Sequence, residues 1–266
     1  MQKKEPIAIV GMGGVFPGAT NTGDLWKNII ARKDSVAVIP DNRWVTPARE
    51  IYSEQFSIDK TYSLRAGVVN LDFDGQGFEI NASLLKGLDP LYHYTLTAAR
   101  EALAGCRASS IARSRTGVIL AAIALPTDGS VALANRIIGR QISHRLFGDP
   151  TDADPERFDP ADVISSRVTS QPASLLAKAF RLGGGSYTLD AACSSSLYAV
   201  KLACDELAAG RADAMIAGGV SRPEILYTQV GFTQLRALSP SGRCRPSSKH
   251  PPRGCEAAFG DKDRCG

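Results

Sequence analysis

Several familiar signatures are missing from this 266-residue chain. Its six cysteines, Cys106, Cys193, Cys204, Cys244, Cys255 and Cys265, make no CxxC pair and no Cys/His cluster of zinc-site spacing. That excludes the common zinc modules and leaves a reducing cytoplasm as the expected compartment. No apolar run approaches the roughly 20 residues needed to cross a bilayer, and the longest uncharged apolar stretch is Gly117 to Leu125. The start, Met1-Gln2-Lys3-Lys4-Glu5-Pro6, is followed by only a short apolar segment and then glycines, which is not a signal peptide. Neither charge sign dominates. Lys and Arg total 31 against 27 Asp and Glu, and no basic stripe with interleaved aromatics is present, so neither nucleic acid nor membrane is an expected partner. Walker A, HExxH and GxSxG patterns are also absent.

With 44% hydrophobic and 22% charged residues the composition is ordinary for a globular protein, which excludes disorder and collagen. A chain of this length buries roughly 70–75% of its unfolded surface, so it needs neither disulfides nor a metal to hold together. Pro6-Ile-Ala-Ile-Val-Gly11 reads as a strand buried on both faces. A helix follows it, capped by Asn21 or Thr22, with Asp24 in its first turn and Leu25, Trp26, Ile29 and Ile30 on its apolar side. Strand signals around Arg65 to Phe73 are weak.

Leu88-Asp89-Pro90 opens the clearest helix. Asp89 can accept from the free N–H groups, Pro90 suits the first helical position, Tyr92, Leu96, Ala99 and Leu103 share a face, and Gly105 closes it. Thr116 to Ala122 is a buried strand, the acidic, proline-punctuated Asp149 to Asp162 a surface loop, and Ser165 to Arg181 a helix. The strand Tyr187 to Asp190 runs through Ala191-Ala192-Cys193-Ser194-Ser195-Ser196 into a helix whose apolar positions are Leu197, Val200, Cys204 and Leu207. Ala212 to Val220 is a further strand. Strands alternating with helices give an α/β fold with a mostly parallel sheet flanked by helices.

Two turns invite a chemical reading. Gly11-Met-Gly13-Gly14 follows a strand as a dinucleotide fingerprint would, but Phe16 takes the place of the third glycine and the helix is delayed, so a nucleotide is disfavoured. Cys193 lies where a strand passes into a helix among small residues. The free N–H groups and the dipole at a helix start favour negative charge, so this position suits a thiolate attacking a thioester, with an acyl-enzyme as intermediate. A small buried cysteine is the alternative. Cys204 falls on the helix's apolar side as a core residue, and Cys106 follows a helix-ending glycine. A cysteine nucleophile needs a base or cationic partner, and the chain offers only His93, His144 and His250. None can be paired with Cys193 by spacing, and His93 reads as a packed helix histidine.

The segment Tyr187-Thr-Leu-Asp-Ala-Ala-Cys193-Ser-Ser-Ser-Leu resembles the active-site region of β-ketoacyl synthases of the polyketide and polyunsaturated fatty acid synthase branch. Pro6 to Gly18, Leu88-Asp-Pro90, Ala217-Gly-Gly-Val-Ser221 and Gly231 to Pro246 extend the likeness over nearly the whole chain. The resemblance implies a thiolase-like layered fold, of which residues 1–246 form the N-terminal half. It also implies acyltransferase chemistry, with Cys193 as the nucleophile and its backbone N–H as one oxyanion donor. The acyl group arrives on the phosphopantetheine arm of an acyl carrier protein, and the chain itself binds no cofactor. Condensation with a malonyl-type thioester follows, and the strand before Cys193 lies at a homodimer interface.

Relatives of this kind continue with a second half carrying two catalytic histidines and a lysine, whereas residues 247–266 here are polar and proline-rich and do not match. His250 fits neither histidine motif. The implied consequence is a chain that accepts an acyl group but does not by itself condense malonyl units, and that leaves an apolar face uncovered. The other reading is an inactive remnant or a dimerisation partner of full-length synthases.

Overall fold

The computed structural model describes residues 5–44, 46–106, 112–148, 159–167, 170–222, 224–239 and 241–242. In chain order the helices are α1 (Thr22–Ile30), α2 (Ala48–Ile51), α3 (Ala82–Gly87), α4 (Pro90–Ala104), α5 (Asp128–Ala134), α6 (Arg140–Phe147), α7 (Pro160–Ser165), α8 (Gln171–Ala179), α9 (Ser195–Ala208) and α10 (Leu226–Gln234). The strands are β1 (Val36–Val38), β2 (Arg65–Gly67), β3 (Thr116–Ala122), β4 (Ser186–Leu189) and β5 (Ala214–Val220). The chain divides into two compact units, one built on Leu71–Ser221 with Thr20–Thr22 and the segment up to Val15, the other on Phe16–Ala19, Gly23–Asn70 and the residues from Arg222 onward.

The first unit is a layered α/β structure. Its parallel sheet has the order β4-β3-β5, with Val118 opposite both Ser186 and Ile216. Every residue of β3 is buried, as expected of a central parallel strand. Because successive side chains point to opposite faces, Val118 and Leu120 pack with Ala99 of α4 and Ala173, Leu176 and Ala177 of α8. Ile119 and Ala121 pack on the other face with Ala199 and Ala203 of α9. A neighbouring cluster joins Leu85, Leu88, Tyr92, Leu96, Ala161 and Leu175.

Helix α4 starts and stops as the sequence predicts. The Asp89 carboxylate accepts from Leu91 N–H at 2.9 Å, Pro90 takes the first turn and Gly105 follows the last. Tyr92, Leu96 and Ala99 are buried and Leu103 is half-buried. The predicted Ser165–Arg181 helix is shorter: it is α8, which begins only at Gln171, while Ser165 is the last residue of α7. Pro172 is the reason: it lacks an N–H and its ring clashes with the preceding turn, so it sits in the first turn of a new helix. The end of the predicted acidic loop is also helical. Asp159 accepts from Ala161 N–H at 2.8 Å and Pro160 opens α7, the same Asp-Pro start as in α4. Residues 149–158 of that loop lie outside the described residues.

Pro6 to Gly11 does not form the predicted strand. It joins no ladder, and Ile9 and Val10 are exposed. A β-branched run becomes a strand only when it pairs with a neighbour, and this one pairs with neither β4 nor β5, the outer strands of the sheet.

The second unit holds α1, α2, α10 and the antiparallel pair β1–β2, with Val36 opposite Gly67. Ile39, Trp44 and Ala48 form its core with the half-buried Leu64, Ala66 and Leu226. It also buries a carboxylate, that of Glu224, 3% exposed, which receives Arg43 and, at 3.2 Å, Arg222, while the Glu224 carbonyl accepts from Trp44 Nε1–H at 2.8 Å. Helix α1 starts where the sequence predicts, at Thr22, but its apolar side is not buried: Trp26 and Ile30 are exposed.

Candidate active site

The site grows from the end of β4. Four residues after Ser186 the strand gives way to Asp190 and Ala191, then to a tight helical turn, Ala192–Ser194, and at once to α9. Cys193 is the middle residue of that turn, and it is exposed. Among the described residues nothing hydrogen-bonds its thiol. Its exposure does not match the alternative reading of a small buried cysteine. Ala192, just before it, has φ of +51°, a left-handed conformation that costs a non-glycine residue energy and persists only when the surroundings hold it.

The hold comes from side chains. Asp190 Oδ1 accepts from Ala192 N–H at 2.9 Å, and Asp190 Oδ2 accepts from Ala124 N–H, also at 2.9 Å, on the segment leaving β3. These two backbone N–H groups keep the Asp190 carboxyl below its usual range. The buried Ser195 hydroxyl donates to the Ala192 carbonyl at 2.6 Å and accepts from Ala191 N–H at 2.7 Å. Ser194 Oγ donates to the Ala191 carbonyl at 3.0 Å. Gly219 of β5 leaves room for the start of α9, since a Cβ there would meet the Ser196 Cβ at 3.0 Å. Sequence reasoning did not single out Asp190 or Ser195. An aspartate two residues before the turn and a serine at the helix start are the local signals, since both side chains bond nearby backbone.

Helix α9 faces the sheet differently from its predicted side. Ser195, Ala199 and Ala203 are inward, while Leu197 is 73% and Val200 47% exposed. Cys204, predicted as core, is only half-buried. The sheet beneath offers Ala121, Ala217 and glycines, so small helix residues allow the closest approach and the larger ones turn outward.

The histidines are not gathered at Cys193. His93 lies in α4 with Nε2 2.7 Å from the Leu85 carbonyl and its ring stacked on Phe73 at 4.1 Å, the packed histidine that the sequence indicated. His144 is exposed on α6. His250, Cys244, Cys255 and Cys265 lie outside the described residues. Cys106 is half-buried, its thiol donating to the Ala102 carbonyl at 3.2 Å.

The glycine turn near the start is filled by protein. A Cβ on Gly11 would come within 2.0 Å of the Ala102 carbonyl oxygen, and one on Gly13 within 1.9 Å of that of Ala98, so these glycines exist to bring the chain onto α4. The Gly14 N–H, which a phosphate would need, donates to Glu101 at 3.0 Å. The same carboxylate accepts from Thr22 N–H at 2.9 Å and Thr22 Oγ1 at 2.6 Å. No helix among the described residues is long and apolar enough to cross a membrane.

Known proteins resemble the chain in sequence and in fold. Over 250 residues the chain is 32% identical to the PKS-NRPS hybrid synthetase ATPKS of Aspergillus niger, covering 92% of this chain and 12% of that protein. It is also 32% identical to mycoketide-CoA synthase of Mycobacterium tuberculosis, covering 92% of this chain and 5% of the relative. The chain therefore spans only a small part of the curated relatives it matches. Among solved structures, the PfaC keto synthase-chain length factor superposes with a TM-score of 0.76 at 28% identity over 89% of this chain and 26% of that one. The ketosynthase from module 6 of the bacillaene synthase of Bacillus subtilis gives a TM-score of 0.64 over 89% of this chain and 35% of its own, and at 23% identity it speaks to the fold alone, which is thiolase-like. The family model of the beta-ketoacyl synthase N-terminal domain matches residues 4–254, and the chain belongs to that family.

Proposed function

We propose that this chain performs the acyl-accepting step of a condensing reaction, with Cys193 as nucleophile. The observation that carries the reading is the exposed thiol on a strained, side-chain-clamped turn at the start of α9. The Cys193 sulfur attacks the carbonyl of an acyl thioester, the tetrahedral oxyanion forms beside the Cys193 N–H, and collapse expels the carrier's phosphopantetheine thiol, which takes a proton. The product is an acyl-enzyme. A malonyl-type thioester is the partner for chain extension in this family. Since neither His93 nor His144 is bonded to Cys193, the step that the described residues support by themselves is the transfer. An acyl carrier protein is the proposed donor. The edge strand β4, with Ser186 and Tyr187 exposed, supports a homodimer as the working form, and the reducing cytoplasm keeps the thiol free.

Intact-mass analysis tests the proposal. Incubated with an acyl N-acetylcysteamine thioester, a mimic of the phosphopantetheine arm, the chain is expected to gain one acyl group, mapped by proteolysis to Cys193. Cys193→Ala should lose the adduct altogether. An adduct that persists in Cys193→Ala, or a natively folded wild type that gains none, would falsify the assignment.

A further inference from the structure

We infer that Asp190 is a positioning residue for Cys193: its two carboxylate oxygens, one on the Ala192 N–H and the other on the Ala124 N–H, lash the residue before the nucleophile to the chain leaving β3. The inference rests on the reading of Cys193 as nucleophile and adds the element that aims it.

The β3–β4 ladder ends at the pair Ala121 and Leu189. Beyond that pair the chains diverge, since Asp190 must lead into the turn while residue 124 leads toward α5. Asp190 continues the tie by side chain where backbone pairing stops. One oxygen fixes the segment just beyond the neighbouring strand and the other fixes the residue whose φ of +51° sets the direction of the next Cα–Cβ bond, that of Cys193. A strained residue relaxes unless it is over-determined. Here the N–H of Ala192 is held by Asp190 and its carbonyl by Ser195 at 2.6 Å, so neither peptide plane flanking Ala192 is free to rotate. Ser195 acts within α9's own first turn. Asp190 reaches across to the segment leaving β3, 66 residues away in sequence.

The chemistry of the side chain also fits this role better than that of a generic turn residue. Two N–H donors on two separate oxygens require a carboxylate. Asparagine has the same shape but one acceptor oxygen, and its amino group would face the remaining N–H. Acyl transfer depends on angstrom-scale placement of sulfur against a thioester carbonyl and an oxyanion donor, whereas alkylation by a small reagent needs only an accessible thiolate. A positioning role therefore separates the two reactions, and a purely structural role does not.

The test measures both rates on the full chain. Acylation of Cys193 by an acyl N-acetylcysteamine thioester and alkylation by iodoacetamide are followed by intact mass in wild type, Asp190→Asn, Asp190→Glu and Cys193→Ala, with circular dichroism and thermal melting alongside. Asp190→Asn is expected to acylate at least tenfold more slowly while alkylation stays within twofold and the circular dichroism is unchanged. Asp190→Glu, which keeps both acceptor oxygens, is expected to recover at least threefold of the acylation rate, and it supplies the same split against wild type if the asparagine variant does not fold. Wild-type acylation in Asp190→Asn overturns the proposal. So does a parallel fall in both reactions together with the melting temperature. Acylation that survives in Cys193→Ala removes the nucleophile itself, and the positioning role with it, a result separable from the other two.

Discussion

The turn at Gly11–Gly14 and the turn at Cys193 begin from similar sequence, an apolar run passing into small residues ahead of a helix, and they end with opposite access. In the first, the space that small residues create is taken by the backbone of α4, with carbonyl oxygens of Ala98 and Ala102 where a side chain would be, and the Gly14 N–H is given to Glu101. In the second, the small residues face outward around an exposed thiol, and the backbone is tied from behind by Asp190 and Ser195. A small residue declares only that something approaches closely. Whether that something is a helix or a substrate depends on the group that holds the turn, a glutamate reaching across it in one case and an aspartate and serine reaching under it in the other.

The comparison can be broken most sharply at Gly13. Alanine there puts a Cβ against a helix carbonyl that has no flexible end to move, so Gly13→Ala is expected to lose at least about 3 kcal/mol in denaturant unfolding, at the upper end of overpacking penalties. A loss below about 1 kcal/mol would show that the glycine turn is not seated on α4. A smaller effect is expected at Glu101. Partial burial raises its carboxyl, but hydrogen bonds from the Thr22 hydroxyl and from the Gly14 and Thr22 N–H groups outweigh this and leave it below the ordinary value of 4.5. A depressed carboxyl stabilises the fold above its unfolded pKa, and that contribution is lost as the pH falls through the folded value. Glu101→Gln should therefore cost about 1 kcal/mol near neutral pH, and melting temperatures of variant and wild type should converge as the pH is lowered from 6 towards 3. A constant gap over that range would mean that the carboxylate charge is not what closes the turn.

What the sequence made legible were features carried by local signals. The Asp89-Pro90 start and Gly105 stop of α4 follow from the chemistry of helix ends, and the unbroken apolar run of β3 follows from burial on both faces. Cys193 was placed at its turn for the same local reasons. The inward face of α9 was not legible. The spacing of Leu197, Val200, Cys204 and Leu207 describes a helix well enough, but the side that turns inward is chosen by Ala121 and Ala217 on strands far away in sequence. Pro6 to Gly11 failed in the same way, because a strand requires a partner edge that no local pattern reveals. Helices α5 and α6 passed unnoticed, although Thr127 and Ser130 form a capping box at the start of α5 that the spacing alone could have suggested. The Asp190 to Ala124 bond joins two segments whose proximity only the parallel pairing of β3 and β4 creates.

The gentlest probe of the difference between the turns is Ala192→Gly. At φ of +51° alanine is strained, and glycine adopts the same conformation without a Cβ clash. Glycine also frees the unfolded chain, which opposes that relief, so a net gain of only about 0.5 kcal/mol is expected. If the strained residue existed merely because the fold tolerates it, this substitution would raise stability and leave acyl transfer unchanged. A clamped turn that aims Cys193 should behave otherwise. The variant's backbone can leave the left-handed region at little cost, the Asp190 and Ser195 bonds then fail to fix one geometry, and acylation of Cys193 should slow twofold to fivefold even as the melting temperature holds or rises. Equal acylation rates in a stabilised Ala192→Gly would make the strain incidental, and the Cys193 turn would then differ from the glycine turn in access alone.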